Sequence, residues 1–259
     1  MNRNENIIKA LALITAFLLI LCIIGLFILA SMPSDQQDSG QQPPDSGSNP
    51  PDRPAITIDN VTLPLAENAG DEYLNKIYFV GDSTTWHFHK GGVDTSHLLV
   101  PSSLTLMLTS DILTIPVTDA QVSIPQALKN ANAEIVIITV GVNGADSFSE
   151  ISYKTFYKKL IQGIKETSPN TKIILQSVFP VEYDFSESNK GITNAGIDRL
   201  NGWAKEIATD CSVRYLDTCS ILKGENGAMI PKYSEGDGVH MNASAYQAII
   251  EYIKTHPID

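Results

Sequence analysis

Apolar residues follow three patterns along this chain. The first is a single run over residues 7–30, interrupted only by Lys9 and Thr15 and free of charge from position 10 onward. About 20 apolar residues at roughly 1.5 Å each span a bilayer core, so this run predicts a transmembrane helix rather than the shorter stretch of a cleaved leader. The second pattern is short and rich in β-branched residues: Ile77-Tyr78-Phe79-Val80, then residues 112–117, 135–140, 173–178 and 213–216. Near-continuous apolar runs of this length suit strands covered on both faces. The third is helical. Tyr153, Phe156, Tyr157, Leu160, Ile161 and Ile164 follow the i, i+3, i+4 stripe of an amphipathic helix. Ile197, Leu200, Ala204 and Ile207 form a second stripe, and Tyr246, Ile249, Ile250 and Ile253 a third. Ser123 before Ile124-Pro125 reads as a further helix start.

Strands alternating with helices imply crossover connections and an open α/β sandwich. In such sheets the ligand crevice lies beyond the carboxyl ends of the strands. The residues just after each strand are therefore the ones to inspect.

Before this region the chain changes character. Residues 31–54 carry Ser, Pro, Asp, Gln, Gly and Asn with no aromatic or β-branched side chain. Too little apolar surface is available there to offset chain entropy, and the prolines favour extended backbone, so the segment predicts a disordered spacer. Arg3 and Lys9 lie on one side of the apolar run and no Lys or Arg recurs until Arg53. The positive-inside rule then predicts a cytoplasmic tail (1–6), a signal anchor (7–30), the spacer, and a domain outside the membrane over 55–259 with its core over 76–256. The formal charge of -11 excludes a basic nucleic-acid footprint. Of the cysteines, Cys22 falls inside the apolar run. Cys211 and Cys219 flank a predicted strand that holds them apart, so both are expected to be reduced. No Cys/His cluster has zinc-site spacing.

Three strings occupy the expected crevice. Gly81-Asp82-Ser83-Thr84-Thr85-Trp86 follows the first strand, Gly141-Val142-Asn143-Gly144 follows the run at 135–140, and Asp237-Gly238-Val239-His240-Met241-Asn242 precedes the last helix. Singly, each is more often a turn or a helix cap than part of a catalytic site. Together they fit acyl transfer. A serine hydroxyl needs a histidine to accept its proton, and the histidine needs a partner to fix its tautomer. Asp237 and His240 stand three apart on a turn entering a helix, where both side chains can converge on Ser83. The Ser83 backbone N–H and the Asn143 side-chain amide are the candidate donors to a developing oxyanion.

These strings resemble the SGNH hydrolases, the GDSL-type esterases and lipases. Gly81-Asp82-Ser83 is similar to the first block of that family, Gly141-Val142-Asn143 to the third, and Asp237-Gly238-Val239-His240 to the last. The resemblance implies a flavodoxin-like three-layer α/β/α sandwich with a parallel five-stranded sheet and no cofactor, here preceded by one transmembrane helix. It implies Ser83 as nucleophile, His240 as general base and then acid, and Asp237 as the orienting carboxylate. The sequence departs from the family's pattern at Gly144, where an Asp is usual. The second-block donor is open among Gly91, Gly92 and Pro101-Ser102-Ser103.

Trp86 and Phe88 either wall the substrate pocket or pack the first helix, and His87 and His89 are expected in solvent. The polar stretches 184–190 and 224–238 are expected to be a substrate loop and the segment that positions Asp237 and His240. The resulting expectation is a membrane-anchored esterase acting on a small-molecule or glycan ester, with O-acetyl groups as the substrate guess. The alternatives are an acyltransferase on the same fold and a non-catalytic surface-binding module. Sequence leaves the oligomeric state open.

Overall fold

A computed structural model describes residues 55–100, 113–114, 121–188 and 191–259. The predicted anchor and spacer lie outside the described residues. Among the described residues no helix is long and apolar enough to cross a membrane. In chain order the elements are α1 (Gly70–Leu74), β1 (Ile77–Gly81), α2 (Ser83–Trp86), β2 (Leu98–Leu99), β3 (Leu113–Thr114) and β4 (Gln121–Val122). There follow α3 (Ile124–Asn130), β5 (Ile135–Thr139), α4 (Glu150–Thr167), β6 (Lys172–Gln176) and α5 (Tyr183–Ser188). The last are α6 (Asn194–Asp210), β7 (Arg214–Leu216), α7 (Cys219–Leu222) and α8 (Ala243–Thr255). Tight 3-10 turns at His87–Gly91, Thr95–His97, Val142–Gly144 and Pro231–Tyr233 connect several of them.

The main sheet has five strands in the order β2-β1-β5-β6-β7, all paired in parallel. Its central strands are mostly apolar because both faces are covered, and the polar residues at their ends, Thr139 and Gln176, meet in a buried hydrogen bond at 2.8 Å. Along β5, Ile135 and Ile137 enter one core with Phe79, Phe88 and the α8 residues Tyr246, Ile249 and Ile253. Val136 and Ile138 enter the other with Tyr153, Tyr157 and Ile161 of α4 and Leu200 and Ile207 of α6. Each such fully buried side chain contributes about 1.5–3 kcal/mol of burial. The helical stripes predicted from spacing are the buried faces of α4, α6 and α8. Ser123 caps α3 by accepting from the Gln126 N–H.

One strand differs from expectation. Of the run at 112–117 only Leu113–Thr114 lies among the described residues, and it pairs antiparallel with Gln121–Val122 as a separate two-stranded piece. Pro116 has no N–H to give a ladder, which disqualifies the run as a central strand. The fifth place goes to Leu98–Leu99, whose two residues register with Phe79 and Val80 of β1. Cys211 and Cys219 are free thiols on either side of β7.

Numbered along the chain, the strands of the sheet run second, first, third, fourth, fifth. The order reverses between β1 and β5, and a parallel sheet opens its crevice at such a reversal. The loops after β1 and β5 carry Ser83 and Asn143.

Candidate active site

Strand β1 ends at Gly81 because the chain must turn there with almost no room. A Cβ at Gly81 would stand 1.9 Å from Thr85 Oγ1 and 2.3 Å from the Thr139 carbonyl oxygen. Gly81→Ala is therefore expected to cost about 1–3 kcal/mol by overpacking, lowering Tm by roughly 2–12 °C in a domain of this size, as thermal unfolding of the purified variant would measure.

Asp82 follows as the N-cap of α2. Its buried carboxylate accepts from the Thr84 N–H at 3.1 Å and the Thr84 hydroxyl at 2.7 Å. It also accepts from the Gly141 N–H at 3.5 Å, which joins the ends of β1 and β5. Burial pushes the Asp82 carboxyl up and these hydrogen bonds oppose it. Thr84 and Thr85 are buried beside it, leaving Ser83 exposed at the first position of α2. An N–H at that position has no intrahelical acceptor.

The second half of the site comes from the loop before α8. Asn242 caps α8 through the Ser244 and Ala245 N–H groups and also donates to the Lys232 and Ser234 carbonyls, which fixes the loop on the helix start. Gly238 has φ +90, and a Cβ there would meet the Phe185 ring at 2.4 Å. Asp237 Oδ1 accepts from the Val239 N–H at 2.9 Å and the His240 N–H at 2.7 Å. Its other oxygen, Oδ2, lies 2.6 Å from His240 Nδ1. A carboxylate only accepts, so the ring proton sits on Nδ1 and the Nε2 lone pair is free. That Nε2 is 3.2 Å from Ser83 Oγ. Partial burial pushes the Asp237 carboxyl up, but the His240 backbone and ring and the Val239 N–H outweigh it, and the group is lowered to about 2.

The two halves are tied at three points. Tyr246 of α8 donates its buried hydroxyl to the Thr84 carbonyl at 2.7 Å. Lys90, in the turn after α2, pairs with Glu235 of the loop at 2.5 Å. The His87 ring stands edge-on to the His240 ring, with centroids 4.8 Å apart.

Of the predicted site residues, Ser83, His240 and Asp237 form one hydrogen-bonded relay. Asn143 sits exposed in the 3-10 turn after β5, on the strand next to β1. Gly144 is buried, and a Cβ there would lie 2.9 Å from the Phe148 ring, so the space an aspartate would take is already filled. Among the second-block candidates, Gly91 packs against α8, its missing Cβ 2.6 Å from Ile250 Cδ1. Gly92 is the left-handed cap of the same turn, and Pro101-Ser102-Ser103 lie outside the described residues.

The aromatic residues after Ser83 divide. Phe88 is buried against Phe79, with ring centroids 4.5 Å apart, whereas Trp86 keeps 45% of its surface exposed. His89 is exposed as expected, but His87 is not: it is half-buried between His240 and Tyr246. Sequence reading missed His87, Lys90, Glu235 and Tyr246 as parts of the site, since only the fold brings them to Ser83. The stretch expected as a substrate loop instead begins as helix α5. Its Tyr183 and Asp184, with Ser234, Glu235 and Gly236, line an open cavity of about 460 Å³ beside the Asp237 loop.

A family model described as "GDSL-like Lipase/Acylhydrolase family" matches residues 79–248, from within β1 into α8. No curated protein matches the chain. A Streptococcus pneumonia protein provisionally assigned as a platelet activating factor superposes with a TM-score of 0.51 at 18% identity, over 71% of this chain and 88% of that one. A GDSL-like lipase from Bacteroides thetaiotaomicron gives 0.49 at 20% identity, over 75% and 89%. A provisionally assigned acylhydrolase from Bacteroides fragilis gives 0.49 at 20% identity, over 74% and 88%.

Proposed function

Because the chain belongs to the GDSL-like lipase/acylhydrolase family, we propose that it hydrolyses an ester through an acyl-enzyme on Ser83, with His240 and Asp237 completing a triad. The observation that carries this reading is the unbroken relay from Ser83 Oγ through the His240 ring to the Asp237 carboxylate.

The steps follow from the proton positions. His240 Nε2 takes the Ser83 proton as Oγ bonds to the ester carbon, and the carbonyl oxygen becomes an oxyanion. Asp237 accepts from Nδ1 throughout and stabilises the imidazolium without taking its proton. As the carbon–oxygen bond to the alcohol breaks, Nε2 returns that proton to the departing alcohol. Water then attacks the acyl-serine, Nε2 accepts a proton from it, and collapse of the second intermediate releases the acid and restores the Ser83 hydroxyl.

We assign the oxyanion to the Ser83 N–H and the Asn143 amide, because the two residues follow the neighbouring parallel strands β1 and β5. Asn143→Ala is expected to lower kcat by about 10²–10³-fold with KM nearly unchanged, since the amide acts on charge that exists only in the transition state. Steady-state kinetics on p-nitrophenyl acetate read this directly. A KM effect alone would assign Asn143 to ground-state binding.

The proposal extends to place and substrate. The uncharged run before position 30 and the basic residues ahead of it support a membrane anchor, with the spacer holding the domain on the outer side. Trp86 lies one turn beyond Ser83 and keeps exposed indole surface there. That suits the ring of an acylated glycan or another flat-faced alcohol portion. The deciding experiment treats the full-length chain and Ser83→Ala with a fluorophosphonate and reads intact mass. One adduct on the first and none on the second supports the nucleophile. An unlabelled, folded wild type counts against the whole reading.

A further inference from the structure

We propose that His87 is a positioning residue for His240, a neutral second imidazole that braces the base ring in the orientation that meets Ser83. The inference rests on the triad reading and deepens it.

His240 is held at one edge by Asp237 and faces Ser83 at the other, but two hydrogen bonds along one line leave a ring free to swing about that line. The missing restraint is lateral. His87 supplies it: its ring meets that of His240 at 4.8 Å and 62°, and meets Tyr246 of α8 at 6.3 Å and 89°. It is therefore wedged between the base and the helix whose hydroxyl holds the Ser83 turn. Phe88, next in sequence and stacked on Phe79, roots the His87 turn in the core.

The wedge has to be uncharged. An imidazolium carries a proton on both ring nitrogens and needs an acceptor for each. His87 Nδ1 is buried without a hydrogen-bond partner among the described residues, so a proton there would be a stranded donor. Charge from the surroundings points the same way. Lys90 and His89 of its own turn and His240 of the facing loop disfavour a positive His87; Glu235 of that loop favours one, and Tyr246 of α8 is neutral. Burial is the largest influence holding His87 below the ordinary histidine range. Neutrality matters because His240 becomes a cation each time it takes the serine proton. An uncharged neighbour tolerates that cation, whereas a protonated His87 at this separation would oppose it.

The test uses the full-length wild type, His87→Ala and His87→Phe, each first shown to be folded by its unfolding transition. Kinetics on p-nitrophenyl acetate and fluorophosphonate labelling rates are then read across pH. His87→Ala removes the brace, and kcat and labelling are expected to fall about ten- to a hundredfold with KM changed less than about twofold, the mark of a misplaced base. His87→Phe refills the space with a ring that cannot titrate, and should recover most of kcat. Its acid limb should follow a single proton, where that of the wild type steepens as His87 gains charge. A His87→Ala variant that reacts as fast as wild type, or a His87→Phe variant no better than alanine, overturns the brace. Identical acid limbs in wild type and His87→Phe overturn its electrostatic part. A wild type that takes no probe at all overturns the triad, and the brace with it, which separates the two failures.

Discussion

His240→Ala is expected to lower kcat as far as Ser83→Ala does, and the double variant no further. The expectation follows from how the two groups are joined. Ser83 Oγ is 3.2 Å from Nε2, and the Nδ1 side is held by Asp237. Neither group has a catalytic task without the other: the serine cannot lose its proton, or the base has no proton to take. Groups that act as a unit lose activity together, so each single removal should cost about 10⁶-fold in kcat and the combined removal a similar factor. Independent contributors would instead multiply. A residual rate above that of water should survive in all three variants, because the oxyanion donors and the binding surface are untouched. A double variant another thousandfold below either single one would mean that the serine and the imidazole are not one relay, and the proposed chemistry would fall.

What the sequence disclosed and what it hid follow from range. The helices α4, α6 and α8 were legible because each buries a stripe whose spacing is local. Strands β1, β5, β6 and β7 were legible because both their faces are largely buried, which confines polar residues such as Thr139, Lys172, Gln176 and Arg214 to their ends. Leu98–Leu99 was not. Two residues make no periodicity, and their place beside β1 depends on a turn that ends at His97. The run at 112–117 has the composition of a strand, but Pro116 within it cannot donate to a ladder.

The site divides along the same line. Ser83, Asp237, His240 and Asn143 stand in short strings next to predicted strand and helix ends, so sequence order alone put them at one edge. Lys90 and Glu235 meet across a sequence distance of 145 residues, and Tyr246 and Thr84 across 162. No spacing rule reaches that far. His87 is expected in solvent from sequence, and the fold half-buries it instead. What it meets is set by the loop before α8 and by Tyr246 of that helix, neither of which its neighbours in sequence announce.

Asp237→Asn is expected to cost about 10⁴-fold in kcat while leaving the loop folded. The substitution changes one atom's role. Asn Oδ1 can still accept from the Val239 and His240 N–H groups, which keeps the turn. In place of Oδ2 it sets an amide donor against His240 Nδ1, and two donors cannot face each other. The ring proton then moves to Nε2, and the atom that should take the Ser83 proton is already occupied. The acid behaviour of the wild type comes from the same carboxylate. Its folded pKa, about 2, lies below the ordinary aspartate value, so the ionised form holds these bonds at neutral pH. The stabilisation it gives is fully present above the unfolded value and is lost only as pH falls from there through about 2. Loss of activity in weakly acid solution is accordingly not expected from Asp237. Wild type and Asp237→Asn compared on p-nitrophenyl acetate, with unfolding monitored beside them, read both consequences. A modest loss in the variant would place the orienting carboxylate elsewhere, and a wild-type acid limb that vanishes with the aspartate would mean that Asp237 itself titrates there.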